Sequence, residues 1–279
     1  MRSFPIQRGA EARPPAADPT RSRRLGLPGL LSLPLLLFFV IPLIALFGRT
    51  TPAALLANLG RPQVAQAIWL SLRTTLTATV LAVVLGAPAG YLLARRRFPG
   101  RRFVDTLVDL PTVLPPSVAG LALLVAFGRQ GLIGGWLSGL GVSIAFTPLA
   151  VVLAQLFVAA PLFVRAASIG FGGVDRELEQ AAAIDGANRA QNFRYITLPL
   201  AYSAMLSGAV LTWARALGEF GATILFAGNF PGRTQTMPLA IYIGFETDLD
   251  LAITLSVILI GTSFLVLVLV KLLLQRDTP

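Results

Sequence analysis

Residues 174–199 read VDRELEQAAAIDGANRAQNFRYITLP. After the first apolar segment this is the long polar run that reads as folded structure, and apolar stretches on both sides hold it at a membrane surface. Asp175 is suited to cap a helix start, with Glu177 and Glu179 in the first turn, where the helix dipole favours negative charge. Leu178, Ala181, Ala182 and Ile184 give that helix an apolar side of mostly small residues. Gly186 interrupts it, and residues 187–195 resume helix before Leu198 and Pro199 open the next apolar stretch. Two readings are open at this level. A compact knob of small side chains fits a partner's groove, and a helix–glycine–helix is also a plain connector between two spans.

The flanks say which setting the knob occupies. The chain has 279 residues, 55% of them apolar and 13% charged, with a mean hydropathy of +0.74, which fits an integral membrane protein. It holds no cysteine and no histidine, which excludes disulfides, thiol chemistry, thiolate or imidazole metal sites and histidine acid–base work. No GxxxxGK[ST] occurs, so ATP, if used, binds to a partner. No cofactor or metal is expected on this chain.

Charge-free stretches mark the spans. Residues 1–24 carry six arginines against Glu11 and Asp18 and read as a disordered basic cytoplasmic tail. Residues 25–275 form the membrane domain. Residues 25–48 are uncharged for 24 residues, too long for the core of a cleaved signal peptide, and Pro28, Pro34 and Pro42 would bend this first span. Residues 49–67 read as a polar external loop. The second span covers 74–94, between Arg73 and the cluster Arg95, Arg96, Arg97, Arg101, Arg102.

Residues 110–128 are the third span, and Pro111 with Pro115-Pro116 forbids one straight helix. Broken backbone at membrane depth needs protein or a wet cavity to satisfy it, whereas a proline kink also serves packing alone. Residues 130–164 lack charge for 35 residues, about 50 Å as one helix, so glycines at 131, 134, 135, 139 and 141 divide them into an external turn-rich segment and a fourth span at about 146–165. The fifth span runs from about 199 to 226, residues 229–250 form an external loop, and 251–270 are the sixth span.

Basic residues orient the whole. With the N-terminus inside, cytoplasmic segments hold seventeen of the 23 Lys and Arg, and both termini and the 174–199 loop are cytoplasmic. The net charge of +10 therefore reports topology and calls for no nucleic acid. Charges inside spans are rare. Arg215 and Glu219, four apart on the fifth span, form a pair on one face, either guiding an anion or locking this span. Asp105 and Asp109 read as interfacial partners of the arginine cluster.

The spacing of Ala181-Ala182, Gly186, Ile196 and Leu198-Pro199 resembles the cytoplasmic "EAA" loop of ABC-importer permeases, which couples to the ATPase. The motif's leading Glu falls here on Gln180, beside Glu179. A bond to the ATPase from this position is then either an ion pair from a rotated Glu179 or a neutral hydrogen bond. ARALGEFGATILFAGNFPGRTQT at 214–236, GYLLARRRFPGRR at 90–102 and LPPSVAGLALL at 114–124 resemble the molybdate branch of these permeases, over about residues 65–275. Sulfate and thiosulfate permeases share much of this pattern, with GEYG-like variants where this chain has Gly218-Glu219-Phe220-Gly221.

The resemblance implies an all-α, six-span type I ABC-importer permease of the bacterial inner membrane that carries molybdate or tungstate, with sulfate or thiosulfate as the alternative cargo. It also implies a second copy of the chain, two ATP-binding subunits and an extracytoplasmic oxyanion-binding protein, all set in membrane lipid. Its pathway candidates are Pro115, Pro116, Ser117 and Gly120 on span three, with Ser207, Gly208, Thr212 and Arg215 on span five. An ion-coupled secondary transporter is the rival of another class. It would place carboxylates or histidines at mid-membrane, and here only Glu219, next to an Arg, qualifies.

Overall fold

The structure is a computed structural model that describes residues 27–276. The tail reading for residues 1–24 lies outside the described residues. Two units separate, Met1–Phe47 and Gly48–Pro279. In the first, α1 (Leu27–Phe47) is an apolar 21-residue helix with Pro34 and Pro42 inside it. No charged residue interrupts it, as a span requires.

The second unit is built around α7 (Pro148–Gly172), which packs against α3 (Pro62–Arg95) and α10 (Leu198–Leu217). The contact face of α3 is periodic: Val64, Ala67, Ser71, Ala78, Ala82, Gly86, Gly90 and Leu93 are buried at steps of three, four and seven. Most are small, which lets backbones approach where lipid offers helices no hydrophobic drive to associate. A β-carbon on Gly86 would lie 2.8 Å from the Phe163 ring, and one on Gly90 would lie 2.7 Å from the Ala167 β-carbon. The two helices therefore run parallel in close register. Gly170 meets Ala201 and Ala204, and Gly208 meets Ala166, so α10 runs antiparallel to α7.

Several expectations need correction. The external loop expected at 49–67 is helical: α2 (Pro52–Leu59) starts with Thr51 accepting from the Ala54 N–H and Pro52 in the first turn, and α3 begins already at Pro62. Both starts are proline-led helix signals. Asn58 of α2 donates to Thr254 at 2.8 Å in a buried side-chain hydrogen bond. The loop expected at 229–250 likewise contains α12 (Met237–Thr247), whose first N–H donates to the Ser71 hydroxyl at 2.7 Å. The last helix, α13 (Leu249–Arg276), runs beyond the expected end of span six.

Span three is broken. Its first part, α4 (Arg101–Val113), and its second, α5 (Pro116–Phe127), meet at 115° across Leu114 and Pro115. Asp105 and Asp109 do not pair with the arginine cluster as expected. They share one face of α4 and clasp Arg165 of α7: Arg165 Nη1 to Asp105 Oδ1 and Arg165 Nε to Asp109 Oδ1 are both 2.6 Å. Four-residue spacing turns both carboxylates toward α7.

The fifth span also ends earlier than expected, at Leu217. After Gly218-Glu219-Phe220 a short helix α11 (Gly221–Ala227) packs on α5 and α7. The turn-rich segment expected to be external holds the short α6 (Gly134–Gly139). Five helices are long and apolar enough to cross a membrane, or six if the α4–α5 pair counts as one span. The protein is a multi-pass, all-helical membrane protein, with no strand among the described residues.

Candidate functional site

The polar run between α7 and α10 folds as helix, glycine turn, helix. Asp175 accepts from the Glu177 N–H at 2.9 Å and opens α8 (Arg176–Ile184), with Glu177 and Glu179 in the first turn. Gly186 follows at φ +91°, a left-handed conformation that a side chain resists. Asn188 and Gln191 then form a reciprocal capping box at the start of α9 (Arg189–Asn192). From α9 the chain passes through a π-turn at Phe193–Thr197 directly into α10. Pro199 therefore sits in the first turn of α10, immediately after the π-turn.

The side chains divide into an inner and an outer set. Leu178, Ala181 and Ile184 are exposed, Ile184 at 86%, and Gln180 beside them is exposed as well. Glu179 turns inward instead. Its Oε1 accepts from Arg95 Nη2 at 3.1 Å and from the Thr197 hydroxyl at 2.7 Å, while its backbone carbonyl accepts from Asn192 Nδ2 at 2.7 Å. Arg95 also donates to the Val174 carbonyl at 2.9 Å, and its side chain is only 9% exposed. One carboxylate thus ties α8 to the end of α3 and to the start of α10.

Beneath this latch sits an aromatic cluster. Tyr91 of α3 meets Phe171 of α7 edge-on at 5.3 Å and Phe193 of the π-turn edge-on at 5.5 Å. The π-turn carries one more residue per turn than an α-helix and brings Thr197, which is buried, round to Glu179. Around the latch lies a cleft of about 420 Å³ bordered by Arg96, Arg176, Gln180 and Arg189. The polar contacts of Glu179 thus hold α8 against the end of α3 and the foot of α10, above the aromatic cluster.

Sequence reasoning placed Glu179, Gln180, Ala181, Ala182 and Gly186 on this element, and Ile196, Leu198 and Pro199 at the foot of α10, but it missed Tyr91, Arg95, Phe193 and Thr197. A signal for two of them existed. Tyr91 and Arg95 stand four apart, on one face at the end of a span.

The other candidate residues lie elsewhere. Pro115, Pro116 and Ser117 are exposed at the α4–α5 break. Gly120 is buried, with a hypothetical β-carbon 2.7 Å from the Ala222 carbonyl oxygen, and Gly208 abuts Ala166, so both set helix spacing. Ser207 donates to the Ser203 carbonyl, and Thr212 is buried with its hydroxyl unpaired. Arg215 Nη1 donates to Glu219 Oε2 at 2.7 Å.

Glu219 does not share a helix with Arg215, as the spacing had suggested, but stands in the break after α10. There its Oε1 accepts from the Ala222 N–H at 2.9 Å and caps α11. Glu219 is 1% exposed and Arg215 is 37% exposed at the side chain. Replacing Arg215 by alanine strands a buried carboxylate, which costs about 3 kcal/mol. The expected result is a lower yield of folded protein, measured by size-exclusion in detergent, with unchanged oxyanion preference in the protein that remains.

A family model described as binding-protein-dependent transport system inner membrane component matches residues 86–276. The chain is 43% identical over 231 residues, 83% of this chain and 88% of the relative, to the molybdenum transport system permease protein ModB of Mycobacterium bovis. It is 45% identical over 183 residues, 65% of this chain and 80% of the relative, to the protein of the same name from Escherichia coli K12. Among solved structures it is similar to the MetNI methionine ABC transporter in inward facing conformations (TM-score 0.60, 20% identity, 77% of this chain and 96% of that one). A bacterial ABC transporter that imports the acidic polysaccharide alginate has a TM-score of 0.66 at 19% identity, covering 90% of this chain and 95% of that one. These last two likenesses carry the fold alone. With its helices in this order, a latched knob between α7 and α10 and a match across most of its length, the chain belongs to the binding-protein-dependent transport system inner membrane components, the multi-pass permeases of ABC importers.

Proposed function

We propose that this chain is the permease subunit of an ATP-driven bacterial importer of molybdate, working in the inner membrane as a homodimer. Two separate ATP-binding subunits and an extracytoplasmic oxyanion-binding protein complete the machine, and this chain carries no cofactor. The observation that carries the reading is the exposed apolar side of α8, backed by the latch that ties Glu179 to Arg95 and Thr197. A surface presented outward and braced inward is what a lever requires. The excess of basic residues on the loop side supports a cytoplasmic placement. The cargo is supported by the relatives at 43% and 45% identity, which are named for molybdenum transport.

The chemistry of the cargo is consistent with this division of labour. A tetrahedral dianion is very costly to desolvate, so it crosses through a hydrated route, and tight binding on that route would oppose release. The exposed Pro115, Pro116 and Ser117 and the half-buried Ser207 and Arg215 face that route in our reading. Gly120, Gly208 and Thr212 set the helices behind it. Closure of the ATPases pushes α8, and the latch passes the displacement to α3 and α10.

Two experiments test the proposal. Reconstituted with its ATPase and binding protein, the permease is expected to take up molybdate in preference to sulfate, and only with ATP. Preferential sulfate uptake overturns the cargo, and uptake without the ATPase overturns the machine. Gly186→Arg is expected to abolish co-purification of the ATPase while membrane insertion stays intact. A β-carbon at Gly186 meets nothing within 4 Å, so Gly186→Ala isolates the strain of its φ, about 1–2 kcal/mol, from the bulk of the arginine.

A further inference from the structure

At the end of the molecule opposite α8, a cleft of about 380 Å³ opens between α3, the start of α7 and the segment 228–236. Arg73 and Arg233 both line it, together with Gln66, Trp69, Thr77 and Leu149. Neither guanidinium makes an ion pair among the described residues. No Asp or Glu occurs in α3, in α7 or in residues 228–236. Two like charges thus share one cleft with no carboxylate from the elements that form it.

The cleft is held in shape. The Phe230 carbonyl accepts from the N–H groups of Arg233, Thr234 and Gln235, and the Thr234 hydroxyl accepts from the Phe230 N–H at 3.1 Å. Phe146, just ahead of α7, meets Phe230 edge-on at 6.3 Å. The positive end of the α7 dipole adds to the potential.

Depth and exposure place the two arginines relative to the membrane. Along a straight helix Arg73 stands about 33 Å from Arg95, one hydrocarbon thickness. Arg95 marks the α8 end, so Arg73 lies at the opposite interface. Trp69, one turn further out and 68% exposed, sits where aromatic side chains meet lipid headgroups. Below Arg73 the same side of α3 exposes Leu76, Val80 and Val84, a path for acyl chains.

We propose that this cleft binds the phosphodiester headgroup of an anionic phospholipid from the leaflet opposite α8, with Arg73 and Arg233 as the two phosphate ligands. Arginine suits the role because its planar fork donates paired hydrogen bonds to phosphate oxygens. The site is independent of the cargo and of the ATPase.

Native mass spectrometry of the full-length chain tests the assignment. The purified protein is titrated with phosphatidylglycerol and, separately, with phosphatidylcholine of the same acyl chains. The expected result is at least tenfold tighter retention of phosphatidylglycerol, reduced to near parity in the double variant Arg73→Gln/Arg233→Gln. Both side chains are exposed, and the single Arg233→Gln variant, altered only in a surface turn, is expected to show an intermediate ratio. Equal retention of the two lipids by the unaltered protein overturns the proposal, as does an unchanged ratio in both variants. Millimolar sulfate or molybdate is expected to leave the bound lipid in place, and displacement by either would reassign the cleft to a free oxyanion.

Discussion

Replacing Glu179 by alanine is expected to cut ATP-driven oxyanion uptake by more than tenfold while the ATPase subunit still co-purifies. Glu179 faces inward, so the exposed apolar side of α8, the proposed docking surface, is left as it was. What disappears is the shared acceptor for Arg95 and Thr197. Arg95 is then a nearly buried cation with only the Val174 carbonyl to receive it. Breaking a fully buried pair costs about 3–5 kcal/mol, and the 23% exposure of the Glu179 side chain reduces that to about 2 kcal/mol. The protein survives such a loss, but α8 is no longer tied to α3 and α10. ATP hydrolysis should persist without stimulation by the loaded binding protein. Glu179→Gln keeps an acceptor for Thr197 and is expected to fall between the two. Uptake at the unaltered rate in Glu179→Ala vesicles would show that the latch transmits nothing.

The second large effect lies in the packing. Gly90→Val is expected to lower the thermal midpoint of the detergent-purified protein by at least several degrees and to reduce its yield sharply. A β-carbon at Gly90 stands 2.7 Å from the Ala167 β-carbon and 3.0 Å from the Val164 carbonyl oxygen, and neither atom is the tip of a flexible side chain. Either α3 and α7 separate or one of them bends. Overpacking of this kind costs about 1–3 kcal/mol before any loss along the rest of the interface. Gly172→Val is the control, because a β-carbon there meets nothing within 4 Å. Equal midpoints for the two variants would mean that the α3–α7 contact does not set the stability of the fold.

The two effects act on one mechanical path. In the proposed mechanism the closely packed α3, α7 and α10 move as a body, to which the Arg95–Glu179–Thr197 latch joins α8. Tyr91 packs edge-on against Phe171 and Phe193 beneath the latch and joins the ends of α3 and α7 to the foot of α10. Arg165 extends the same body to α4 through Asp105 and Asp109, and α4 leads into the 115° break at Leu114 and Pro115.

Much of this protein was legible in its amino-acid order. Uncharged runs located the spans, because a charge in hydrocarbon is costly wherever it falls. Asp175, Gly186 and the small residues between them defined the knob, since capping and left-handed turns are local events decided within a few residues. Pro115 and Pro116 foretold the broken span, though not its angle. The helices α2 and α12 escaped notice because, though apolar, they are only 8 and 11 residues long, too short to cross a membrane, and lie between polar flanks. Only the tertiary structure decided where Glu179 points, which carboxylates hold Arg165, and that Glu219 caps α11 instead of sharing a helix with Arg215. Those choices depend on which helices become neighbours, and contacts across 84 residues, as between Arg95 and Glu179, leave no periodic trace in the chain.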